Sequence, residues 1–343
     1  MQRPLTVLSV AFPFAQVGAD AVGGAEQILA SLDRALTERG HRSIVVAQRG
    51  SRVTGTLVPL PAFDPTHGRE AAWREWRDAI GRTLASERVD VVHLHGLDAH
   101  AYFPRHPAVW TLHLPIAAYA PRALELAATF CCVSESQRAT CPPAAKVRTI
   151  ENGVDVAAFE PRLTKGRYAL ALGRICEEKG YHLAIQAARR AGVPLVIAGR
   201  VFDYPAHRRY FEARIRPELG PAVRFLGPVG PRVKRRLLAG ARALLVPSLA
   251  EETSSLVAME ALASATPVIA FARGALPEIV EHERTGLLTD GAAGMAEALA
   301  RVDAIDPRAC RRAAEARFDA ARMHERYLGL YREVAGGGAR AVA

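Results

Sequence analysis

The chain has 343 residues, of which 50% are hydrophobic and 23% are charged, a composition that excludes a disordered, collagen-like or disulfide-stapled small protein. The basic residues behind the net charge of +10 are spread along the chain instead of forming a tail, so a phosphate-bearing partner is possible, and we expect no nucleic-acid partner. Five cysteines without C-x-x-C spacing argue against a zinc ribbon and favour a reduced, cytoplasmic compartment, and no apolar run approaches the roughly 20 residues of a membrane span.

The N-terminal segment allows two interpretations. Arg3, the apolar stretch Leu5–Ala15 and the small residues after it imitate a secretory signal peptide. A first strand that runs into a glycine turn explains the same residues, since Pro13 interrupts the apolar stretch and a helical pattern opens at Gly23-Gly24-Ala25-Glu26. We favour the strand.

Short apolar runs alternate with helical patterns along the whole chain. Most runs lack strict alternation, which is typical of strands buried on both faces of a parallel sheet, so the sequence predicts doubly wound α/β layers. The predicted strands are Leu5–Ala11, Ser43–Ala47, Val89–His93, Ala108–Leu112, Thr129–Val133 and Val147–Ile150 in the first half, and Tyr168–Leu172, Leu195–Ala198, Val223–Leu226, Ala243–Val246 and Val268–Phe271 in the second.

The predicted domain boundaries follow from this alternation. The stretch Asn152–Gly166 has glycine, proline and charge but no clear period, so it is interpreted as a linker. We predict domains at residues 1–153 and 154–316, a C-terminal helix at 317–335 and a disordered tail at 336–343.

Gly23 and Gly24 stand where a loop turns into the helix predicted for Ala25–Arg39. Glycines let backbone N–H groups approach a ligand, and a helix N-terminus favours an anion. A tight turn with a helix start is the alternative. The segment matches neither G-x-G-x-x-G nor a P-loop, which argues against a simple dinucleotide enzyme or a P-loop NTPase.

Two basic segments have plain explanations. Arg69–Ser86 predicts an amphipathic helix with Trp73 and Trp76 on one face, which could lie on an anionic membrane but more commonly packs against a sheet. The run Arg232–Arg236 is interpreted as a solvated helix face. Only four of the 45 basic residues are lysines, which makes each lysine notable: they are Lys146, Lys165, Lys179 and Lys234.

His93, His95 and His113 lie at the ends of predicted strands. A His-x-His pair suggests a metal, yet no third ligand or carboxylate has convincing spacing, so we interpret the three as polar cleft residues. No metal site is predicted.

The loop Gly173–Gly180 follows the first strand of the second half. Arg174 and Lys179, with glycine at each end of the loop, could clamp a diphosphate, because arginine supplies a planar fork and lysine a compact charge. Cys176 in this loop is interpreted as a packing residue.

Glu252 and Glu260 flank a predicted helix start near Ser254 or Ser255. Glu252 is placed in the loop and Glu260 about two turns into the helix, so the two carboxylates could accept hydrogen bonds from separate hydroxyl groups. A capping acid and a helix-surface acid are the alternative.

The order of these motifs resembles glycosyltransferase family 4, retaining enzymes of the GT-B fold, over nearly the whole chain. The matching stretches include the segments named above and several others: Val91–Gly96, Thr111–His113, Val133–Ser136, Asn152–Asp155, Leu172–Gly180, Val223–Gly227, Val246–Ser248, Glu252–Ala261, Ala265–Ala270, Gly274–Val280 and Thr285–Leu288.

The resemblance implies two Rossmann-like domains that face each other across a cleft, with the C-terminal helix crossing back to the first. It also implies roles for the site residues. Arg174 and Lys179 would bind the diphosphate of the donor, and Gly23 and Gly24 would close over it. Glu260 would bind the ribose hydroxyls, Glu252 and His113 would bind the transferred sugar, and the backbone near Gly227 would contact the base. Thr253, Ser254 and Ser255 stand beside the donor sugar where the family commonly has a small residue followed by Phe-Gly.

The implied reaction transfers a hexosyl group from a UDP- or GDP-sugar to a hydroxyl with retained anomeric configuration, by front-face attack and without a metal or other cofactor. The acceptor is open between a glycan, a lipid and a small molecule, contacted by the loops Phe12–Val22, Asp64–Glu70 and His95–Arg105. The expected location is cytoplasmic, with peripheral contact to the inner membrane face as an option. A nucleotide-sugar epimerase and a catalytically silent scaffold of the same shape are the alternatives.

Overall fold

The computed structural model describes residues 3–64, 66, 68–143, 145 and 147–338. The chain divides into two compact units, the first formed by Met1–Asn152 with Met323–Ala343 and the second by Gly153–Arg322. The division after Asn152 falls one residue before the boundary expected from the sequence.

The first unit is built on a sheet of seven parallel strands. They are β1 (Thr6–Val10), β2 (Arg42–Gln48), β3 (Thr56–Leu60), β4 (Val91–Leu94), β5 (Ala108–Leu112), β6 (Thr129–Cys132) and β7 (Val147–Thr149), and their spatial order is β3-β2-β1-β4-β5-β6-β7. The helices along this part of the chain are α1 (Gly24–Glu38), α2 (Gly68–Ser86) and α3 (Glu135–Ala139).

The second unit repeats the plan with six parallel strands. They are β8 (Ala169–Leu172), β9 (Leu195–Ala198), β10 (Val223–Phe225), β11 (Ala243–Val246), β12 (Val268–Phe271) and β13 (Gly286–Thr289), in the order β10-β9-β8-β11-β12-β13. The helices that follow β8 in the chain are α4 (Tyr181–Arg190), α5 (Pro205–Tyr210), α6 (Pro231–Gly240), α7 (Leu256–Ala263), α8 (Leu276–Ile279), α9 (Ala292–Arg301), α10 (Pro307–Ala313) and α11 (Ala320–Gly338).

All predicted strands are confirmed, including the edge strands β7 and β10, whereas the other two edge strands were missed. β3 is partly exposed and contains Pro59, which cannot donate to a sheet and is tolerated only at an edge. β13 begins at Gly286, where an added Cβ would lie 1.9 Å from the carbonyl oxygen of Val268. Neither strand carries the continuous apolar run of an interior strand, so the sequence pattern did not reveal them. β1 lies in the interior of its sheet, as the strand interpretation of the N-terminal segment predicts.

The aromatic face of α2 packs inside the first unit. Trp76 is 1% exposed and donates a hydrogen bond to the carbonyl of Ala11, while half-buried Trp73 donates to the carboxylate of Asp98. This confirms packing over the membrane-surface alternative for that face. No helix among the described residues combines the length and apolar character that crossing a bilayer requires.

The segment interpreted as a linker is part of the second unit. Val156 and Phe159 are 1% and 5% exposed in its core, and Val154 exchanges backbone hydrogen bonds with Phe318 and Ala320. The linker interpretation of Asn152–Gly166 is therefore wrong for the residues after Asn152, because Val154, Val156 and Phe159 are buried in the core of the second unit.

The C-terminal helix differs from its predicted bounds. Asp319 interrupts the helical path with an extended backbone, and its carboxylate accepts a hydrogen bond of 2.8 Å from the backbone N–H of Ala321 in the first turn of α11. Residues 336–338, expected in a disordered tail, belong to α11, and the rest of that tail lies outside the described residues. From Met323 onward the chain belongs to the first unit.

Candidate functional site

The strand order places a ligand crevice at the carboxyl ends of β8 and β11. The direction in which strands are added reverses between these two neighbours, and ligands of doubly wound sheets bind where the order reverses. The loop Gly173–Gly180 follows β8, and the loop that contains Glu252 follows β11. The two motifs singled out from the sequence therefore meet at this crevice.

Lys179 and Glu252 form the central ion pair of this crevice. The ammonium nitrogen of Lys179 lies 2.5 Å from Oε1 of Glu252, and their side chains are 26% and 11% exposed. The hydroxyl of Ser248 donates to the same oxygen at 2.6 Å and contacts the carbonyl of Glu178 at 3.2 Å. The carboxylate is thus held by one cation and one hydroxyl, and both loops are tied together.

Two glycines allow the loops to approach this closely. Gly180 has φ +66°, and a Cβ there would lie 2.0 Å from the carbonyl oxygen of Pro247. Gly274 has φ +54°, and a Cβ there would lie 2.2 Å from the carbonyl oxygen of Glu252, which accepts the backbone N–H of Ala275 at 2.7 Å. A side chain at either position would displace the backbone next to Lys179 or Glu252.

Arg174 occupies the start of the loop that carries Lys179. Its side chain is half-buried, and no carboxylate in the described part of the chain lies within ion-pair distance of it. Its guanidinium therefore keeps donors for an anion in addition to the ammonium of Lys179.

Glu260 is paired with a lysine that sequence reasoning placed elsewhere. Oε1 of Glu260 lies 2.5 Å from the ammonium of Lys234, and the two side chains are 7% and 21% exposed. Burial raises the pKa of Glu260, and the charge of Lys234 acts in the opposite direction. The solvated-face interpretation of Arg232–Arg236 is therefore wrong for Lys234, since one turn of α6 points this side chain at α7.

The residues between the two glutamates include the start of α7. The helix begins at Leu256, directly after the later of the two predicted starts, so the start is confirmed. Glu260 lies in the second turn, less deep than the predicted two turns. Ser255 occupies the N-cap position and Thr253 precedes it in the loop. The hydroxyl oxygen of Ser254 is buried without a hydrogen-bond partner among the described residues, so it can serve a ligand.

Gly227 lies at the same edge of the second sheet. It follows β10, has φ +69°, and accepts the backbone N–H of Gly199, which follows β9, at 2.8 Å. A backbone without a side chain is thus available where the family resemblance expects the base.

Gly23 and Gly24 lie in the first unit, at the N-terminus of α1. Gly23 is the N-cap residue, and a Cβ there would lie 1.8 Å from a carboxylate oxygen of Glu26, which is 8% exposed. The glycine therefore lets Glu26 fold back over the helix start. The structure places both predicted glycines at a helix N-terminus, with Gly23 as the N-cap residue and Gly24 as the first residue of α1.

His113 ends a chain of histidines in the first unit. Its Nε2 lies 3.1 Å from Nδ1 of His95, and the two rings stack with their planes 17° apart. His93 uses both ring nitrogens, with the hydroxyls of Tyr331 at 2.7 Å and Thr111 at 2.8 Å, so it is a satisfied polar residue and not a metal ligand.

Burial controls the charge of these histidines. It lowers the pKa of His113 to about 4 and those of His93 and His95 well below their ordinary value. All three are neutral near pH 7, so His113 can exchange hydrogen bonds with a hydroxyl there without adding a positive charge.

Lys234 and Ser248 are the site residues that sequence reasoning missed. The scarcity of lysine was the available signal for Lys234, since all three described lysines are engaged: Lys179 with Glu252, Lys234 with Glu260, and Lys165 with three acceptors. Lys146 lies outside the described residues. Ser248 belongs to the matching stretch Val246–Ser248, but nothing in the sequence pairs its hydroxyl with Glu252.

Two family models match the chain, one for each half. "Glycosyltransferase Family 4" matches residues 22–158, and "Glycosyl transferases group 1" matches residues 166–303. Among curated proteins, a D-inositol 3-phosphate glycosyltransferase of Corynebacterium urealyticum is 33% identical over 170 residues, covering 43% of this chain, and this chain spans only 40% of that relative's length. A glycogen synthase of Mycobacterium tuberculosis is 28% identical, over 91% of this chain and 89% of its own.

Solved structures agree over almost the whole chain. AviGT4, a glycosyltransferase involved in avilamycin A biosynthesis, is 26% identical with a TM-score of 0.73, over 97% of this chain and 99% of its own. HepE of Anabaena, solved in complex with UDP-glucose, shares the fold at 18% identity and a TM-score of 0.76, over 96% of this chain and 100% of its own. The chain belongs to glycosyltransferase family 4 and has the GT-B fold, with two Rossmann-like, parallel-sheet units.

Proposed function

We propose that this protein is a retaining glycosyltransferase that moves a hexosyl group from a UDP- or GDP-sugar to an acceptor hydroxyl without a metal at the diphosphate. The observation that carries the proposal is the Lys179–Glu252 pair at the crevice of the second sheet, with Arg174 on the same loop. The cation suits the diphosphate of a nucleotide sugar, and the fixed carboxylate suits the hydroxyl groups of its sugar.

Lys179 has enough N–H donors to bind the Glu252 carboxylate and phosphate oxygens at the same time. A lysine ammonium carries three N–H donors, of which Glu252 takes one, so the others are free to hold phosphate oxygens. Arg174 supplies a second cation from the start of the loop. In the described part of the chain, the hydrogen bonds of the Glu252 carboxylate go to Oε1, which leaves Oε2 for a hydroxyl of the transferred sugar.

Glu260 suits the ribose of the donor. Its carboxylate is buried in the second turn of α7 and is oriented by Lys234. It can therefore accept hydrogen bonds from the two ribose hydroxyl groups. The buried hydroxyl of Ser254 adds a polar group beside the sugar position, where the family commonly has a different residue.

The proposed chemistry places positive charge where negative charge develops. As the bond between the sugar and the diphosphate breaks, the sugar becomes oxocarbenium-like and the leaving phosphate gains charge, which Arg174 and Lys179 stabilise in place of a metal ion. The acceptor hydroxyl attacks from the face that the phosphate leaves, its proton passes to the leaving phosphate oxygen, and the anomeric configuration is retained. His113, neutral near pH 7, orients a sugar hydroxyl.

Calorimetric titration with UDP, GDP, ADP and dTDP, with and without magnesium, tests the donor site. One nucleotide should bind equally well in both conditions, and Lys179→Met should weaken that binding strongly. Arg232→Met, which removes an exposed cation of the same unit, is the matched control and should bind as the wild type does. With the nucleotide identified, Lys179→Met should lower kcat for sugar transfer by roughly 10²–10³-fold.

Three results would contradict the proposal. Absence of binding to all four nucleotides would favour the scaffold alternative. Binding that requires magnesium would remove the role of the two cations. A product with inverted anomeric configuration, read by NMR, would exclude the front-face reaction.

The acceptor hydroxyl belongs to a glycan, a lipid or a small molecule. The net charge of +10 supports a peripheral membrane site. Co-sedimentation with anionic lipid vesicles at low salt tests it. Absence of binding would contradict the membrane site. Trp73 and Trp76 do not supply such a site, because both pack inside the first unit.

A further inference from the structure

Three metal-ligating side chains converge beside the loop that carries Lys179. One ligand atom each from Cys176, Glu178 and His207, namely Sγ, a carboxylate oxygen and a ring nitrogen, all lie within 4.8 Å of one another. Cys176 and Glu178 belong to the loop after β8, whereas His207 comes from α5, so the cluster joins two segments that are distant in sequence.

His207 carries an unused buried group. Its Nδ1 is buried and has no hydrogen-bond partner among the described residues. The rings of Phe202 and Tyr204 pack edge-on against the imidazole, with centroids at 6.3 and 5.1 Å, and fix its orientation. A buried ring nitrogen without a partner is uncommon, and a bound ion beside this ring is one way to account for it.

The donor set selects the kind of ion. Thiolate, imidazole and carboxylate together are the ligands of zinc, whereas magnesium and calcium take oxygen ligands. We propose that Cys176, Glu178 and His207 bind a zinc ion, with water in the fourth position. Cys176 is buried and Glu178 is exposed, so the ion enters from the side of the carboxylate, and the thiol releases its proton to water on binding.

This ion would stiffen the donor loop without touching the leaving group. The carbonyl of Cys176 accepts the backbone N–H of Lys179 at 3.2 Å, and the carbonyl of Glu178 accepts that of Leu249 at 2.7 Å. Zinc would therefore link α5 to the turn that presents Lys179 and, through Leu249, to the loop of Glu252. Its role is positional, and the transfer proposed above uses no metal at the diphosphate.

Cobalt(II) titration of the chelator-treated full chain tests the site, because cobalt replaces zinc and gives a charge-transfer absorption with a thiolate ligand. The wild type should show this absorption saturating at one ion per chain and disappearing when one equivalent of zinc is added. Cys176→Ser should abolish it. His207→Phe, which keeps a ring for Phe202 and Tyr204, should weaken cobalt binding at least tenfold. Cys310→Ser, which alters another fully buried thiol of the same unit, should leave the absorption unchanged.

The proposal fails if the wild type gives no saturable thiolate absorption, or if Cys176→Ser retains it. Wild-type affinity in both His207→Phe and Glu178→Gln would also overturn it. Circular dichroism and the thermal midpoint of each variant separate loss of the site from loss of the fold. Nucleotide titration is a separate measurement, so failure here leaves the transferase proposal standing.

Discussion

Lys234 and Glu260 form a charged pair that couples α6 to α7. Removing the lysine would leave a carboxylate that is 7% exposed without its cation. We expect Lys234→Met to destabilise the second unit by about 1–3 kcal/mol, since a buried charged group then loses its partner. Urea unfolding followed by circular dichroism measures this, and Arg232→Met should change stability by less than about 0.5 kcal/mol.

A double-mutant cycle separates the pair from the rest of the site. Because Glu260→Gln removes the charge that Lys234 compensates, Lys234→Met should cost less in that background, with a coupling energy of about 0.5–3 kcal/mol. Additive effects of the two substitutions would show that the two groups do not stabilise each other.

The pair also shows what residue-level reasoning achieves. Glu260 was identified from its spacing to Glu252, and the structure shows it buried in the second turn of α7. Its partner was not identified, because a lysine within an arginine-rich helical run has the same local pattern whether it points to solvent or to another helix.

At the scale of elements, the two ends of α4 offer a matched pair of glycines. Gly180 before the helix and Gly192 after it have φ of +66° and +65°, but a Cβ at Gly180 would lie 2.0 Å from the carbonyl oxygen of Pro247, whereas nothing lies within 4 Å of one at Gly192. Alanine at either position should cost about 1–2 kcal/mol through its backbone conformation.

Gly180→Ala should cost about 1–3 kcal/mol more than Gly192→Ala because of the added collision. It should also lower kcat by about 10²-fold, since Lys179 precedes it and a displacement near 1 Å disturbs the alignment. Chemical denaturation and transfer assays of both variants measure these effects. Equal stability losses with unchanged kcat in both would show that the contact of the two loops is unimportant.

The edge strands β3 and β13 mark the limit of element prediction, whereas the edge strands β7 and β10 were predicted. Interior strands are buried on both faces, so they require continuous apolar runs, and those runs were identified in both halves. β3, with Pro59 and partly exposed side chains, lies at an edge where neither requirement holds. Its pairing with β2 is a contact of the assembled sheet, which the local sequence pattern does not specify.

At the scale of the whole molecule, the buried histidines make stability depend on pH. His113 has a pKa of about 4 in the folded protein, against an ordinary value of 6.5, and those of His93 and His95 are also lowered. Below about pH 6.5 these histidines bind protons in the unfolded chain but not in the folded unit. The free energy of unfolding therefore decreases as the pH falls toward the pKa values of the folded protein. Each such proton contributes a slope of at most about 1.4 kcal/mol per pH unit.

Tryptophan fluorescence measures this in the first unit alone, since that unit holds all three tryptophans of the chain. Urea midpoints should fall between about pH 7 and pH 5, where few carboxylates titrate. His93→Gln should lower stability at every pH, because it breaks bonds to Tyr331 and Thr111, yet it should flatten the slope. A slope unchanged in this variant would exclude His93 as a contributor.

The sequence by itself determined the features that depend on neighbours along the chain: two α/β halves, the interior strands, the glycine-bounded loop of Lys179 and the order of motifs that identified the family. These follow from local periodicity and turn chemistry, which are written in consecutive residues. Only the tertiary structure decided which cation meets which carboxylate, that Asn152–Gly166 is anchored by Val156 and Phe159, and that Cys176 lies beside His207. Such contacts depend on strand order, which brings together loops that are separated by dozens of residues in the sequence. A local sequence pattern carries no information about which distant loops become neighbours in space.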